Sequence, residues 1–171
     1  MNEENIHSEG FIPKDLTHCF ETSLGRLYNL DCLDLFAKIS DESVNTIFAD
    51  PPYNVGVDYG NGLSDAMNES DYLVWMKKWL EESARVLVHG GSIFIYHLPR
   101  YSGFISGHLS HLGSTYRNLI VHQRSDGRPI RGKLKPMWYA IIYFSKGTPD
   151  RFEPPRRSLA TCKRCGQTHK D

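Results

Sequence analysis

Thr46-Ile47-Phe48-Ala49-Asp50-Pro51-Pro52-Tyr53-Asn54 is the stretch on which the fold turns. A β-branched and aromatic run, beginning at Val44, is cut off by a carboxylate, two prolines and an aromatic ring. The run predicts a buried strand, and the prolines end it because neither can donate to a ladder. Asp50 and Pro51 each precede a proline and are driven into extended geometry. The product is a stiff ledge at the carboxyl end of a strand, where open α/β sheets hold their ligands. Such a ledge suits a planar substrate carrying an amino group. The Tyr53 ring can stack on its face, while the Asp50 carboxylate and a proline carbonyl accept the two N–H protons. The same letters also read as a Pro-rich turn in which Asp50 caps a neighbour and Tyr53 packs locally.

A chain of 171 residues, 40% apolar and 12% aromatic, is long enough for one domain with a real core. Twenty Lys and Arg balance twenty Asp and Glu, so any surface for nucleic acid must be local rather than a global basic field. No apolar run approaches the roughly 20 residues of a membrane span, and the polar, acidic start is unlike a signal peptide. Four cysteines do not make a disulfide framework in a chain of this size, and a reducing cytoplasm is the expected compartment.

In chain order, residues 1–14 read as a flexible arm. His18 to Glu21 and Arg26 to Asn29 form a hairpin around Ser23-Leu24-Gly25, and a short helix follows with Leu33, Phe36, Ala37 and Ile39 on one side. Asp31 opens that helix; it reads as an N-cap or as a second acidic site residue. Residues 54–68 are polar and glycine-rich, long for a connection and therefore of functional interest. Tyr72, Trp75, Met76, Trp79, Leu80, Ser83 and Leu87 then keep helical spacing. Ser70 is the expected N-cap and Gly90-Gly91 the stop. That aromatic stripe is read as core.

Ser92 to His97 is a further buried strand, followed by a weaker helix from Arg100 to Leu112 interrupted at Gly103 and Gly107. Arg117 to Gln123 and Met137 to Ser145 are two more strands, joined without an obvious helix and so expected to form an antiparallel edge. Between them Arg124, Arg128, Arg131, Lys133 and Lys135 put five cations in twelve residues with one acid, Asp126. This run is either a solvated loop or a set of phosphate contacts. Cys162, Cys165 and His169 resemble half a zinc knuckle, but zinc prefers four ligands, so no metal is expected. Cys19 and Cys32 are expected to be buried. The alternation of strands and helices argues an α/β sheet of mainly parallel strands.

The ensemble resembles the amino-terminal part of the permuted amino-group DNA methyltransferases, in which the catalytic motif precedes the S-adenosylmethionine motif. The likeness rests on Asn29-Leu30-Asp31-Cys32, close to the family's Gly-Asp-Cys, and on Ser43-Val44 leading to Ala49-Asp50-Pro51-Pro52-Tyr53-Asn54. It extends through Asp71-Tyr72-Leu73 to Trp79, Arg85-Val86-Leu87 and Gly90-Gly91-Ser92-Ile93-Phe94-Ile95. It implies a Rossmann-like methyltransferase sheet with helices on both faces, and methyl transfer from S-adenosyl-L-methionine to the amine of a base flipped out of double-stranded DNA. By that likeness Asp50, Pro51, Pro52 and Tyr53 are the catalytic ledge, and Asp31, Cys32 and Asp50 face the cofactor. Asp at the first position of the motif is more typical of adenine N6 methylation. N4-cytosine methylation is the alternative, as is a non-catalytic nucleic-acid-binding remnant. The resemblance admits a homodimer and a cognate restriction nuclease as further partners. RNA and protein-glutamine methyltransferases use related ledges but place the cofactor motif first.

The departures bear on the expectation. The family's Phe-x-Gly-x-Gly cofactor loop, and the acidic residue after the next strand, have no counterpart here. The chain is therefore read as a truncated form, inactive alone, with residues 15–148 a partial catalytic domain and 149–171 the start of a target-recognition or linker segment. The strand ending at Asp50 should then be an unpaired edge.

Overall fold

The computed structural model describes residues 16–60, 63–124, 131–132, 137–149 and 165. The first elements are a small exposed hairpin, β1 (Phe20–Thr22) with β2 (Gly25–Leu27), and a five-residue helix, α1 (Cys32–Phe36). Thr22 Oγ1 accepts from the N–H groups of Leu24 and Gly25, both at 3.1 Å, and closes the hairpin turn. Cys19 and Cys32 are exposed, contrary to expectation. The hairpin has no buried strand residue, and α1 buries none either, so neither offers an interior for a thiol.

Strand β3 (Val44–Ala49) has the bounds its sequence predicts, but it is not the buried strand expected. Pairing with β6 alone among the described strands leaves Val44, Ile47 and Ala49 half-buried and Asn45, Thr46 and Phe48 exposed. The glycine-rich connection after it contains a second small hairpin, β4 (Asp58–Gly60) with β5 (Leu63–Ser64). Helix α2 (Glu69–Val86) buries Tyr72, Met76, Trp79, Leu80 and Ser83 of the stripe expected to be core, and Val86 besides. Trp75 is half-buried, and Leu87, also buried, lies just beyond the helix. Its N-cap is Asn68 rather than Ser70. The Asn68 side chain accepts from the Asp71 N–H at 2.9 Å, three residues on, while Ser70 donates its hydroxyl back to Asn68 at 2.7 Å.

Nor does the glycine pair stop this helix. It ends at Val86, and Leu87 passes directly into β6 (Leu87–His97) with extended φ and ψ of −70° and 129°. Gly90 and Gly91 instead form an irregularity inside the strand. Val44 pairs with Leu87 and Thr46 with Ser92, so the long strand carries extra residues against β3. Gly90 takes up a φ of 83°, and a Cβ on Gly91 would lie 2.9 Å from the Leu87 side chain and from the Val88 carbonyl.

One 3-10 turn, Pro99–Tyr101, leads to α3 (Ser102–His111). The helix runs unbroken through Gly103 and Gly107. Both glycines face open space, and the buried Ile105 and Leu109 hold the helix down against its weak propensity. Two strands follow, β7 (Thr115–Gln123) and β8 (Trp138–Ser145).

The main sheet has the order β3-β6-β8-β7. β3 pairs parallel with β6, while β8 is antiparallel to both of its neighbours, so β3, β6 and β7 share one direction. The antiparallel strand thus lies inside the sheet, and the last-paired edge is β7. Alternation divides the faces. Ile93, Ile95, Ala140, Ile142 and Phe144 form the core with Tyr72, Met76, Leu80, Tyr101, Ile105 and Leu109. Phe94, Tyr96, Ile141 and Tyr143, on the other face, are half-buried.

Arg85 fastens the approach to β3. It donates to the Phe36 carbonyl at 2.7 Å and the Ile39 carbonyl at 3.0 Å, and it pairs with Glu82 at 2.7 Å and with Asp41. With the Ser43 N–H on the Val86 carbonyl at 2.8 Å, these bonds fix where β3 begins.

Among the described residues β3 is an edge strand, as expected, and its Phe48 is 65% exposed. Open edges with exposed aromatics pair with other chains. The chain of residues 1–171 is therefore expected to self-associate as its concentration rises, and Phe48→Lys should shift sedimentation-velocity profiles towards the monomer. An unchanged profile would show that the edge is not the contact.

Candidate active site

Because β3 and β6 run parallel, both deliver their carboxyl ends to one margin of the sheet. β3 brings Asp50, Pro51, Pro52 and Tyr53; β6 brings Tyr96 and His97. The Asp50 carboxylate is exposed, and its Oδ1 accepts from the Tyr53 hydroxyl at 2.5 Å. Among the described residues its Oδ2 has no hydrogen-bond partner. The Tyr53 ring is half-buried in an aromatic wall, with Tyr139 at 5.6 Å, His97 at 5.2 Å and Tyr96 at 6.3 Å between centroids. Burial and the bond to Asp50 raise the Tyr53 phenol far above its ordinary pKa, so it is a hydrogen-bond donor and not a base. The carboxylate stays outside the protein body and the ring stays at the surface of the sheet.

Two residues that sequence reasoning left out of the site support the ledge from behind. His97 is fully buried at the end of β6, and its Nε2 lies 2.8 Å from the Tyr72 hydroxyl. Tyr72, on α2, donates in turn to the Pro52 carbonyl at 2.5 Å. The signal for His97 was in the alternation. It shares parity with Ile93 and Ile95, which puts an imidazole on the core face of a strand beside β3. Tyr72 was visible only as one ring in a core stripe, and nothing in its spacing marked its hydroxyl.

The long connection is tied down as well. Asp65, 5% exposed, accepts from the N–H groups of Val57 at 2.6 Å and Val55 at 3.2 Å. Burial works against that carboxylate, but these backbone donors prevail and hold its pKa below the usual range. Asn54 takes a φ of 54° and accepts from the Met67 N–H at 2.7 Å, while Arg100 donates to the Asn54 carbonyl at 3.0 Å.

Between the ledge, this connection and α2 lies a cavity of ≈ 380 Å³ lined by Asp31, Pro52, Tyr59, Asp65, Met67, Tyr72 and Trp75. Asp31 is the N-cap of α1, its Oδ1 accepting from the Leu33 N–H at 2.8 Å, and it also lines the cavity, so its two sequence readings are compatible. Cys32, the first helical residue, is exposed and does not line it. A larger groove of ≈ 500 Å³ between α1 and α2, lined by Leu33, Ala37 and Arg85 among others, includes no ledge residue.

Of the basic run, Arg124 follows β7 with its guanidinium 4.8 Å from the centroid of the Tyr139 ring, beside the Tyr53 wall. Arg131 is an exposed turn residue. Arg128, Lys133 and Lys135 lie outside the described residues, as do Cys162 and His169; Cys165 is an exposed turn residue. Among the described residues no three His, Cys, Asp or Glu side chains are grouped to hold a metal, and no helix is long and apolar enough to cross a membrane. The 1–14 arm and nearly all of the 149–171 segment are likewise outside the described residues.

Comparison with known proteins places a chain carrying this strand-end Asp-Pro-Pro-Tyr in a family. Residues 44–170 match the family model described as DNA methylase. The chain belongs to the N6/N4 DNA methylase family. It is 44% identical over 153 residues to the type II methyltransferase M.BamHI of Bacillus amyloliquefaciens, a match covering 89% of this chain and 36% of that protein. It is 30% identical over 134 residues to the DNA adenine methyltransferase YhdJ of Escherichia coli, covering 76% of this chain and 45% of the relative. Among solved structures, the cytosine-N4-specific PvuII DNA methyltransferase superposes with a TM-score of 0.57 at 15% identity, over 71% of this chain and 49% of the other. That likeness is one of fold, and it agrees with the α/β methyltransferase sheet expected from the sequence. This DNA methylase chain spans between about a third and a half of the length of these two curated relatives.

His97 makes the acid stability of the fold readable. Burial lowers its pKa to about 4, because the cation cannot be solvated there. Between about pH 6.5 and 4 the unfolded chain binds a proton that the folded one refuses, so stability falls as pH falls through that window, by on the order of 3 kcal/mol. His97→Gln, which does not titrate, should lose less stability than the wild type between pH 7 and 4.5 in urea denaturation. Parallel pH profiles for the two proteins would show that the imidazole does not set this dependence.

Proposed function

We propose that this chain carries the catalytic ledge and part of the cofactor cavity of an S-adenosylmethionine-dependent DNA methyltransferase that acts on the N6 amine of adenine. The observation that carries the reading is the Asp50 carboxylate, exposed on a doubly proline-locked ledge with one oxygen held by Tyr53 and the other open. An extruded base could present its amine there, one N–H to Asp50 Oδ2 and the other to the Pro51 carbonyl, which has no partner among the described residues. Both protons are then engaged in the plane of the base, and the nitrogen lone pair is directed out of it. The chain's contribution is alignment and charge stabilisation, with no covalent step of its own. Tyr53 and the Tyr139 and Tyr96 rings beside it offer flat apolar surface for the base, and Arg124, with Arg128, Arg131, Lys133 and Lys135, would meet phosphates of double-stranded DNA.

The cavity suits the cofactor. It combines the carboxylates of Asp31 and Asp65 with the flat or soft surfaces of Pro52, Trp75, Tyr59 and Met67. Acidic groups match a sulfonium charge, and Asp31 keeps one carboxylate oxygen beyond its helix cap for a hydroxyl or amine. Asp31 is the residue of the cavity assigned to hold S-adenosylmethionine, which would supply an electrophilic methyl group; Asp50 and Cys32, also expected to face the cofactor, do not line this cavity.

Adenine is favoured over cytosine because Asp stands first in the motif, and the name of the relative YhdJ agrees with that preference. The reading extends to a type II restriction-modification setting with a cognate nuclease, in keeping with the name of M.BamHI. The test is methyl transfer by the full-length protein, read by mass spectrometry of hydrolysed DNA. N6-methyladenine should accumulate, and Asp50→Ala should lower the rate by about 100-fold or more. N4-methylcytosine as the product would replace the base assignment, and full activity in Asp50→Ala would overturn the role of the ledge.

A further inference from the structure

The ledge is held from behind by a hydrogen-bond chain whose direction the structure determines. The Leu98 N–H, which can only donate, lies 2.8 Å from His97 Nδ1. Nδ1 is therefore the bare nitrogen, and the proton of the neutral ring sits on Nε2. Nε2 faces the Tyr72 oxygen at 2.8 Å and donates to it. The Tyr72 proton is left for the Pro52 carbonyl at 2.5 Å, a group that can only accept. Each link fixes the next. His97 and Tyr72 are 0% and 1% exposed, so water does not offer either group an equal partner.

The receiving end gives the chain its meaning. Proline rings lock φ at both Pro51 and Pro52, and a proline after Pro51 restricts its ψ. The torsion left open is ψ of Pro52, which turns the Pro52–Tyr53 peptide, and the Tyr72 hydroxyl grips the carbonyl of that peptide. Turning it would swing Tyr53 away from Asp50 Oδ1, now 2.5 Å off, and out of the wall it shares with His97 and Tyr139.

We propose that Tyr72 and His97 are positioning residues for the methyl-transfer ledge: the His97 Nε2–H orients the Tyr72 hydroxyl, and Tyr72 fixes the Pro52 peptide so that Asp50 and Tyr53 meet the amine in one geometry. The proposal rests on the function assigned to Asp50 above. It adds two residues that touch neither reacting atom and yet set the rate.

Kinetics of the full-length protein distinguish positioning from bulk stability. Tyr72→Phe keeps the ring and removes the hydroxyl; kcat should fall by about 10- to 100-fold, since small misplacements at a reacting centre carry such losses. KM for S-adenosylmethionine should stay within about 3-fold, the pattern of an interaction that serves the transition state alone. His97→Leu should match Tyr72→Phe, the double variant should be no worse than either, and His97→Gln, whose amide can donate where Nε2 did, should restore most of kcat. Wild-type kcat in Tyr72→Phe, or additive losses in the double variant, would overturn the proposal. Two measurements do not depend on methylation. Nitrogen-15 spectra of the wild-type full chain at pH 7 should show His97 as the Nε2–H tautomer, and the carbon-13 shift of the Pro52 carbonyl should move in Tyr72→Phe. The other tautomer, or an unmoved carbonyl, would sink the relay even if Tyr72→Phe folds poorly. Both signals present in a protein that shows no Asp50-dependent methylation would instead uphold the relay and remove the functional reading.

Discussion

Backbone immobility at Pro51 and Pro52 is the constraint from which the rest of the site follows. A carboxylate is a good hydrogen-bond acceptor on any loop, but an acceptor held in one place needs a backbone with few torsions to spare. Two proline rings remove two φ angles at once, and the Tyr72 hydroxyl takes the remaining peptide. Tyr53 then reaches back over three residues to Asp50, closing a small ring of covalent and hydrogen-bonded constraints at the end of β3.

The groups around the ledge stay neutral for a common reason. Burial disfavours the phenolate of Tyr53 and Tyr72 and the imidazolium of His97, which leaves three hydroxyl or ring N–H donors of fixed polarity around one exposed anion. Asp65 is the counter-case. It is as buried as many core residues, yet backbone N–H groups from the connection after the ledge keep it in its charged form. The connection is thereby folded back on the cavity that Asp31 and Pro52 line. Residue types that would be costly in a core are satisfied here by one another.

Much of this was legible in the sequence, and the misses have physical causes. β3 was read with its bounds because a β-branched and aromatic run met a hard stop at two prolines, while its exposure was not readable from that run. The stripe of α2 was read from its spacing. The glycine pair misled, because a Gly-Gly after a helix stops it only if the chain needs a left-handed cap. Here Leu87 turns into the strand first, and Gly90 spends its positive φ on a bulge. α3 survived two glycines because Ile105 and Leu109 are fully buried, a tertiary effect that local propensity cannot carry. The inserted β8 was not foreseeable either. Two strands in sequence say that they pair, but not that the later one slides between the earlier one and β6. The supporting pair His97 and Tyr72 joins residues 25 apart through side-chain atoms, a contact that no spacing rule encodes.

The same topology explains why the site sits at a margin. Among the described residues β3 is last in the order with β6 beside it; Asp50 is exposed there while its support, His97 and Tyr72, is fully enclosed. That asymmetry separates two tasks that conflict in a single location. A carboxylate proposed to meet a base must be reachable, and the hydrogen-bond network proposed to position it must exclude water to be stiff. The parallel β3–β6 pair meets both demands. It carries the proposed catalytic residues at the end of one strand and His97 on the strand beside it, which runs two residues past the Ala49–Ile95 pair, with α2 closing the back.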